Sequence, residues 1–268
     1  MSIQQIECSA DASYLPAGLK YLTVHSSALK GRGNISCYNA GSTQQHLPIV
    51  ILLHGVYGNH WVWMNLGRVH EVYEELRRNG EIGEMLLVMP EDGSYYAGSG
   101  YLPLTEGRDF DTWIMQDSLE AVIDSIDCVS KNSPIYLTGL SMGGYGALRL
   151  GAKHAQRVSG ISAHSAITCL EDFRHFINED LSIYQCANDK ESDLLHWCQL
   201  NRSKLPPIRI DCGTDDVLFP SNTTLVKKLE TAQIEHSFKT PPGGHEWSYW
   251  HRQIAETLRF FECIQTTS

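Results

Sequence analysis

The chain has 268 residues, 42% of them hydrophobic and 19% charged, with a formal net charge of −10. That composition is globular and long enough to bury a sizeable core, in one large α/β domain or two small ones. The acidic balance, without any block of lysine or arginine, argues against nucleic-acid and anionic-membrane partners, and solubility accounts for the charge.

The first residues, Met1-Ser2-Ile3-Gln4-Gln5, show neither the basic nor the apolar segment of a secretory signal, and no apolar run has the length of a membrane span. Eight cysteines (Cys8, Cys37, Cys128, Cys169, Cys186, Cys198, Cys212 and Cys263) are scattered without CxxC pairs. They read as reduced, mostly buried thiols rather than a zinc or redox motif. The expected compartment is the cytoplasm.

In chain order, 21–25 and 34–38 flank Gly31 and Gly33 and predict an antiparallel hairpin at a sheet edge. Short apolar runs follow at 49–53, 85–89, 135–137, 158–162 and 208–212, each ended by a glycine, proline or polar turn. Runs of that kind suit strands buried on both faces. Between them, 65–79, 111–130, 144–154 and 220–233 have helical spacing. In 111–130, Ile114, Leu119, Val122, Ile123 and Ile126 are read as one apolar stripe. The alternation predicts a single α/β domain, a mostly parallel central sheet with helices on both faces. The stretch 167–207 is too long for a simple loop and carries helix-like 170–177 and 191–200. It reads either as a small lid or as a crossover with extra surface helix.

The chemistry concentrates at a few turns. Gly139-Leu140-Ser141-Met142-Gly143 follows one predicted strand and opens one predicted helix. That context makes Ser141 a nucleophile elbow, a sharp turn that lifts a serine hydroxyl clear of the sheet as the attacking group of a hydrolase. Its glycines are required because a Cβ at either place would meet the neighbouring strand or helix. Serine needs a base within hydrogen-bond reach, and on this architecture the order along the chain is serine, acid, histidine. Asp211-Cys212-Gly213-Thr214-Asp215-Asp216 closes the run beginning at Ile208 and offers two acids. Asp216 is favoured, and Asp215 is read as a turn-capping carboxylate.

Twelve histidines are present. His154, His164, His175, His196 and His236 have no motif around them, and His251 lies inside the last predicted helix, 247–261. His245 stands apart, in the loop Pro242-Gly243-Gly244-His245-Glu246-Trp247. His54 precedes the serine and is read as bracing the loop His54-Gly55-Val56-Tyr57-Gly58-Asn59. That loop would supply one oxyanion donor, Val56 ahead of Tyr57, and Met142 the other. Aromatic residues gather near these motifs: Tyr57, Trp61, Trp63, Tyr95, Tyr96, Tyr101, Trp113, Trp247 and Trp250. Tyr57, Trp61 and Trp247 are the candidates for a substrate wall. His245-Glu246 is not a zinc motif, because Tyr249 stands where the second histidine would be. No metal or other cofactor is expected.

The set LLHGVYGN, GLSMGGYGALRL, CGTDD and GGHEWSYW resembles the Putative esterase family of α/β-hydrolases over about 49–250. That family takes in tributyrin-type short-chain esterases, S-formylglutathione hydrolases (esterase D) and mycolyltransferases. The resemblance implies a catalytic triad of Ser141, Asp216 and His245, with an oxyanion hole at Val56 and Met142. Two departures narrow it. HGVYGN replaces the cysteine-containing loop usual in esterase D, and no export signal matches the exported mycolyltransferases. The tributyrin-esterase branch fits best, which implies a serine carboxylesterase acting on a small-molecule short-chain ester. An acyltransferase, a thioesterase, or a non-catalytic binding protein on the same scaffold are the alternatives. Homo-oligomerisation is left open.

Overall fold

The computed structural model describes residues 2–9, 15–94 and 97–267. Among these residues nine strands form one sheet: β1 Ile3–Cys8, β2 Leu19–Ser26, β3 Gly31–Tyr38, β4 Ile49–Leu53, β5 Leu86–Pro90, β6 Ile135–Leu140, β7 Gly160–His164, β8 Ile208–Asp211 and β9 Ser237–Lys239. Their order is β1-β2-β3-β5-β4-β6-β7-β8-β9. From β5 through β9 neighbours run parallel, whereas β1, β2, β3 and β5 pair antiparallel.

The five predicted inner strands are present and buried along their length. The expected edge hairpin is a three-stranded edge, because β1 joins β2. β1 and β9 offer few apolar side chains, and backbone pairing with their neighbours makes them strands.

Among the described residues, eight α-helical segments are α1 Val62–Asn65, α2 Val69–Arg78, α3 Phe110–Thr112, α4 Leu119–Ser125, α5 Met142–Lys153, α6 Leu194–Leu200, α7 Phe219–Thr231 and α8 Trp247–Thr267. The helix expected at 65–79 breaks where Arg68 takes a left-handed φ of 52°. The helix expected at 111–130 contains a π-helical turn, Trp113–Ser118, and stops at α4. The five-residue gap between Ile114 and Leu119 is too wide for one α-helical stripe, and the wider π turn accommodates it.

Inner strands alternate between two apolar layers. Ile49, Ile51 and Leu53 join a layer with Trp113, Tyr145, Phe173 and Leu225. Val50 and Leu52 join one with Tyr73, Leu76, Ile254 and Phe261. With side chains alternating along each strand, the two layers are the two faces of the sheet. The segment 167–207 holds short 3₁₀ turns and α6, with Asp193 capping α6 through its carboxylate. It packs on α5: Tyr145 meets Phe173 edge to face and donates to the Ser192 carbonyl at 2.8 Å. Beside it Arg149, fully buried, is shared by Asp111 at 3.0 Å and Glu191, and Lys153 bonds the same two carboxylates.

Register then fixes where the site stands. Leu53 pairs Gly139, Leu140 pairs His164, and His164 pairs Asp211. The C-terminal ends of β4, β6, β7 and β8 therefore lie side by side, and the turns that follow them meet at one rim, where ligands gather in parallel sheets.

Candidate active site

Only Ser141 separates β6 from α5, and it turns the chain with φ 55° and ψ −119°. A serine rarely adopts that conformation unless its surroundings over-determine it. Here the Ser141 N–H donates to the His164 carbonyl at 3.0 Å, and its own carbonyl accepts from Tyr145 and Ile167. A Cβ at Gly139 would overlap the Gly143 backbone, and one at Gly143 would overlap the Leu53 carbonyl. The tight strand-to-helix turn thus excludes side chains at both places.

After β8 the chain turns at Gly213, and the Asp216 N–H donates to the Gly213 carbonyl at 3.1 Å. The neighbouring histidine loop is tied to this turn: the Asp215 N–H donates to the Gly243 carbonyl at 3.0 Å and the Thr214 N–H to that of Pro241 at 3.2 Å. The Asp216 carboxylate faces His245 Nδ1 at 3.0 and 3.1 Å and accepts the Leu218 N–H at 2.8 Å. His245 Nε2 stands 3.0 Å from Ser141 Oγ. Asp215 is exposed and its side chain takes no part in this line.

Burial by itself would raise the Asp216 carboxyl, but the bond and charge of His245, the Leu218 N–H and the Ser165 hydroxyl hold it below the usual carboxylate range. An ionised carboxylate at Nδ1 places the ring proton there and leaves Nε2 free to accept from the serine hydroxyl.

The imidazole is gripped by aromatic rings. Phe176 stacks on it with centroids 4.6 Å apart and 25° between planes, while Trp250 meets it edge to face at 4.9 Å. Trp250 Nε1 in turn donates to Ser165 Oγ at 3.2 Å. Phe176 and Ser165 are site residues that sequence reasoning missed. Neither lies in a motif, and each reaches the site only through tertiary contacts.

The loop after β4 lies against the serine: a Cβ on Gly55 would stand 3.3 Å from Ser141 Cβ. His54 accepts the Asp92 N–H at Nε2, 3.0 Å away, so its proton sits on Nδ1 and is donated to the Gly55 carbonyl at 2.7 Å. The Gly58 N–H reaches the same carbonyl at 3.1 Å. In a planar trans peptide the N–H points opposite the C=O, so pinning the Gly55 oxygen aims the Val56 N–H. That N–H has no partner among the described residues, whereas the Tyr57 N–H is engaged by the Ala97 carbonyl at 2.6 Å. Met142 opens α5, where first-turn N–H groups lack helical acceptors.

Tyr57 is 68% exposed and Trp61 42%, so both rings are open to solvent. The Tyr57 hydroxyl donates to the Phe176 carbonyl at 3.1 Å. Trp247 is half-buried, edge-on to Trp63 and Trp250. Trp63, Tyr101 and Trp113 are core residues, bonding through their polar atoms to the carbonyls of Leu53, His54 and Glu91. Tyr95 and Tyr96 lie outside the described residues. Among those described, no three His, Cys, Asp or Glu side chains cluster to hold a metal, and no helix is long and apolar enough to cross a membrane.

This arrangement can move a proton from a hydroxyl to an imidazole, and the Val56 and Met142 N–H groups nearby have no partner among the described residues. The family model described as Putative esterase matches residues 26–261. The chain belongs to that family. An acetyl esterase from Caldicellulosiruptor saccharolyticus is 25% identical over 237 residues, 82% of this chain and 85% of that protein. Among solved structures, a ferulic acid esterase superposes with a TM-score of 0.77 at 23% identity, over 97% of this chain and 100% of its own. The S-formylglutathione hydrolase FrmB of Staphylococcus aureus gives 0.74 at 19%, over 90% and 97%. The fold is that of the α/β-hydrolases, and the protein is an ester hydrolase.

Proposed function

We propose that this esterase is a serine carboxylesterase, cleaving short-chain acyl esters through an acyl-enzyme on Ser141. The continuous line Asp216–His245–Ser141, with 3.0 Å between imidazole and hydroxyl, carries the reading. As Ser141 Oγ attacks the ester carbonyl carbon, its proton passes to His245 Nε2, and Asp216 stabilises the resulting imidazolium. The carbonyl oxygen gains the negative charge and is met by the Val56 and Met142 N–H groups, each lowering the barrier by roughly 3 kcal/mol. Collapse breaks the bond to the alcohol oxygen, which leaves with the His245 proton. Water then gives its proton to the same nitrogen and attacks the acyl carbon; the acyl–Oγ bond breaks, Ser141 Oγ takes that proton back from His245, and the acid is released.

The acetyl esterase relative supports a small acyl group. Tyr57 and Trp61 offer exposed rings to the substrate, and Trp247 the face its neighbours leave uncovered. Eight unpaired cysteines suit a reducing compartment, the cytoplasm.

The test is hydrolysis of p-nitrophenyl acetate and butyrate, with fluorophosphonate labelling alongside. Ser141→Ala should abolish both signals. Equal rates in the variant and the parent protein would refute the assignment, and an alcohol acceptor that diverts the acyl group from water would make the protein a transferase.

A further inference from the structure

The segment 176–179 touches both halves of the site. Phe176 lies on the His245 ring at 4.6 Å, and its carbonyl accepts the Tyr57 hydroxyl at 3.1 Å. Three residues on, Glu179 Oε1 accepts the Ala97 N–H at 3.3 Å. Ala97 passes the constraint forward, since its carbonyl holds the Tyr57 N–H at 2.6 Å. These contacts close a ring: Phe176, Tyr57, Ala97, Glu179 and back along the chain.

What the ring encloses is the peptide following Val56. The plane before Val56 is pinned by His54 and Gly58 through the Gly55 carbonyl. The plane after it contains the Tyr57 N–H and is pinned by Ala97. Tyr57 also has a left-handed φ of 58°, which a residue with a Cβ adopts only when held there. Without Glu179, Ala97 loses its anchor in 167–207, and Tyr57 can relax toward ordinary backbone angles. The Val56 N–H would then keep only the hold on the Gly55 carbonyl and lose the restraint on its other flank, so its aim loosens.

We infer that the strap 176–179 is a positioning element, in which Glu179 aims the oxyanion loop through Ala97 while Phe176 holds the His245 imidazole. The inference rests on the reading of Ser141, His245 and Val56 proposed above. Neither strap residue touches the reacting atoms. Their effect falls on kcat, because a misaimed donor or base is felt chiefly in the transition state.

Steady-state kinetics on p-nitrophenyl acetate test it with Glu179→Ala and Glu179→Gln. In Glu179→Ala, kcat should fall about tenfold to a hundredfold with KM within about twofold, as for a donor displaced by a fraction of an ångström. Glu179→Gln keeps an oxygen that accepts the Ala97 N–H and should recover to within about threefold of the parent kcat. Because both residues act through one segment, Glu179→Ala with Phe176→Ala should lose less than the product of the two single losses.

An unchanged kcat in Glu179→Ala, a change confined to KM, an equal loss in Glu179→Gln, or a fully multiplicative double variant would each overturn the inference. Ser141→Ala separates the two levels. Retained activity there sinks the serine mechanism itself, whereas an inactive Ser141→Ala beside a fully active Glu179→Ala sinks only the strap.

Discussion

Asp216, His245 and Ser141 form one Asp–His–hydroxyl line, and Asp211, His164 and Thr257 form another beside it. In the second, His164 Nδ1 stands 2.8 Å from the Asp211 carboxylate and Nε2 2.9 Å from Thr257 Oγ1. By residue type and distance the two are nearly the same. They differ in what surrounds them. All three members of the second line are fully buried, and Asp211 is bonded by Arg209 and by the Tyr249 hydroxyl. The Thr257 hydroxyl also meets Ser162 Oγ at 2.6 Å. Its line is a buried structural network in which Arg209 offsets the Asp211 charge, while His164 Nδ1 lies beside the carboxylate out of hydrogen-bonding alignment. In the first line, among the described residues, no cation pairs with Asp216, the imidazole is part-exposed, and Ser141, itself 2% exposed, is followed by the first-turn N–H of Met142 and flanked by a loop whose Val56 N–H has no partner. On the proposed mechanism, a hydroxyl facing a histidine becomes a nucleophile only where a substrate can reach it and an oxyanion can be met.

The strongest way to break this comparison is at the acids. Asp216→Asn should lower kcat by about 10⁴, through the wrong histidine tautomer. Asp215→Asn, on the exposed side of the same turn, should stay within about threefold of the parent. Measured kcat values in the reverse order would exchange their roles.

A second substitution sharpens the contrast from the buried side. Thr257→Val leaves His164 and Ser162 without their shared partner, so chemical unfolding should register a loss of about 1–3 kcal/mol. Turnover by the folded variant should match the parent protein. A collapse of kcat comparable to that of Ser141→Ala would show that the inner line participates in chemistry.

The smallest effect concerns acid stability. In Asp211, burial raises the pKa but is outweighed by the charge of His164, then by Arg209 and Tyr249, and Asp216 is likewise held low. With folded values below the unfolded carboxylate value of about 4, their stabilisation is complete above that pH. It drains away as the pH falls through the lowered folded values. Unfolding free energy should therefore be level in their contribution from pH 7 to about 5 and decline below about 4. Asp216→Asn should flatten part of that limb. An acid limb unchanged in this variant would remove Asp216 from the account.

Several elements were legible because their causes are local. The run at 49–53 coincides with β4, since five consecutive apolar residues ended by His54-Gly55 suit a buried strand and little else. Ser141 could be found because a strand-to-helix turn that tight demands glycine on either side. Asp216 and His245 were readable from their turns, and the structure sets both within hydrogen-bond reach. The break at Arg68, the π turn at Trp113 and the edge strands β1 and β9 were not readable. Each depends on what the segment packs or pairs against rather than on its own pattern. His164 shows the opposite hazard, for nothing in its sequence context hints at a buried Asp–His–Thr line.

Taken alone, the amino-acid order determined the alternating architecture, the strand-to-helix turn at Ser141 and the short set of residues able to face it, because periodicity and glycine requirements act over a few residues. Tertiary structure decided which of two adjacent aspartates faces the imidazole, which loop N–H remains free, and which aromatic ring rests on His245. Those outcomes are set by register between strands and by contacts among segments far apart in the chain, where no local preference can reach.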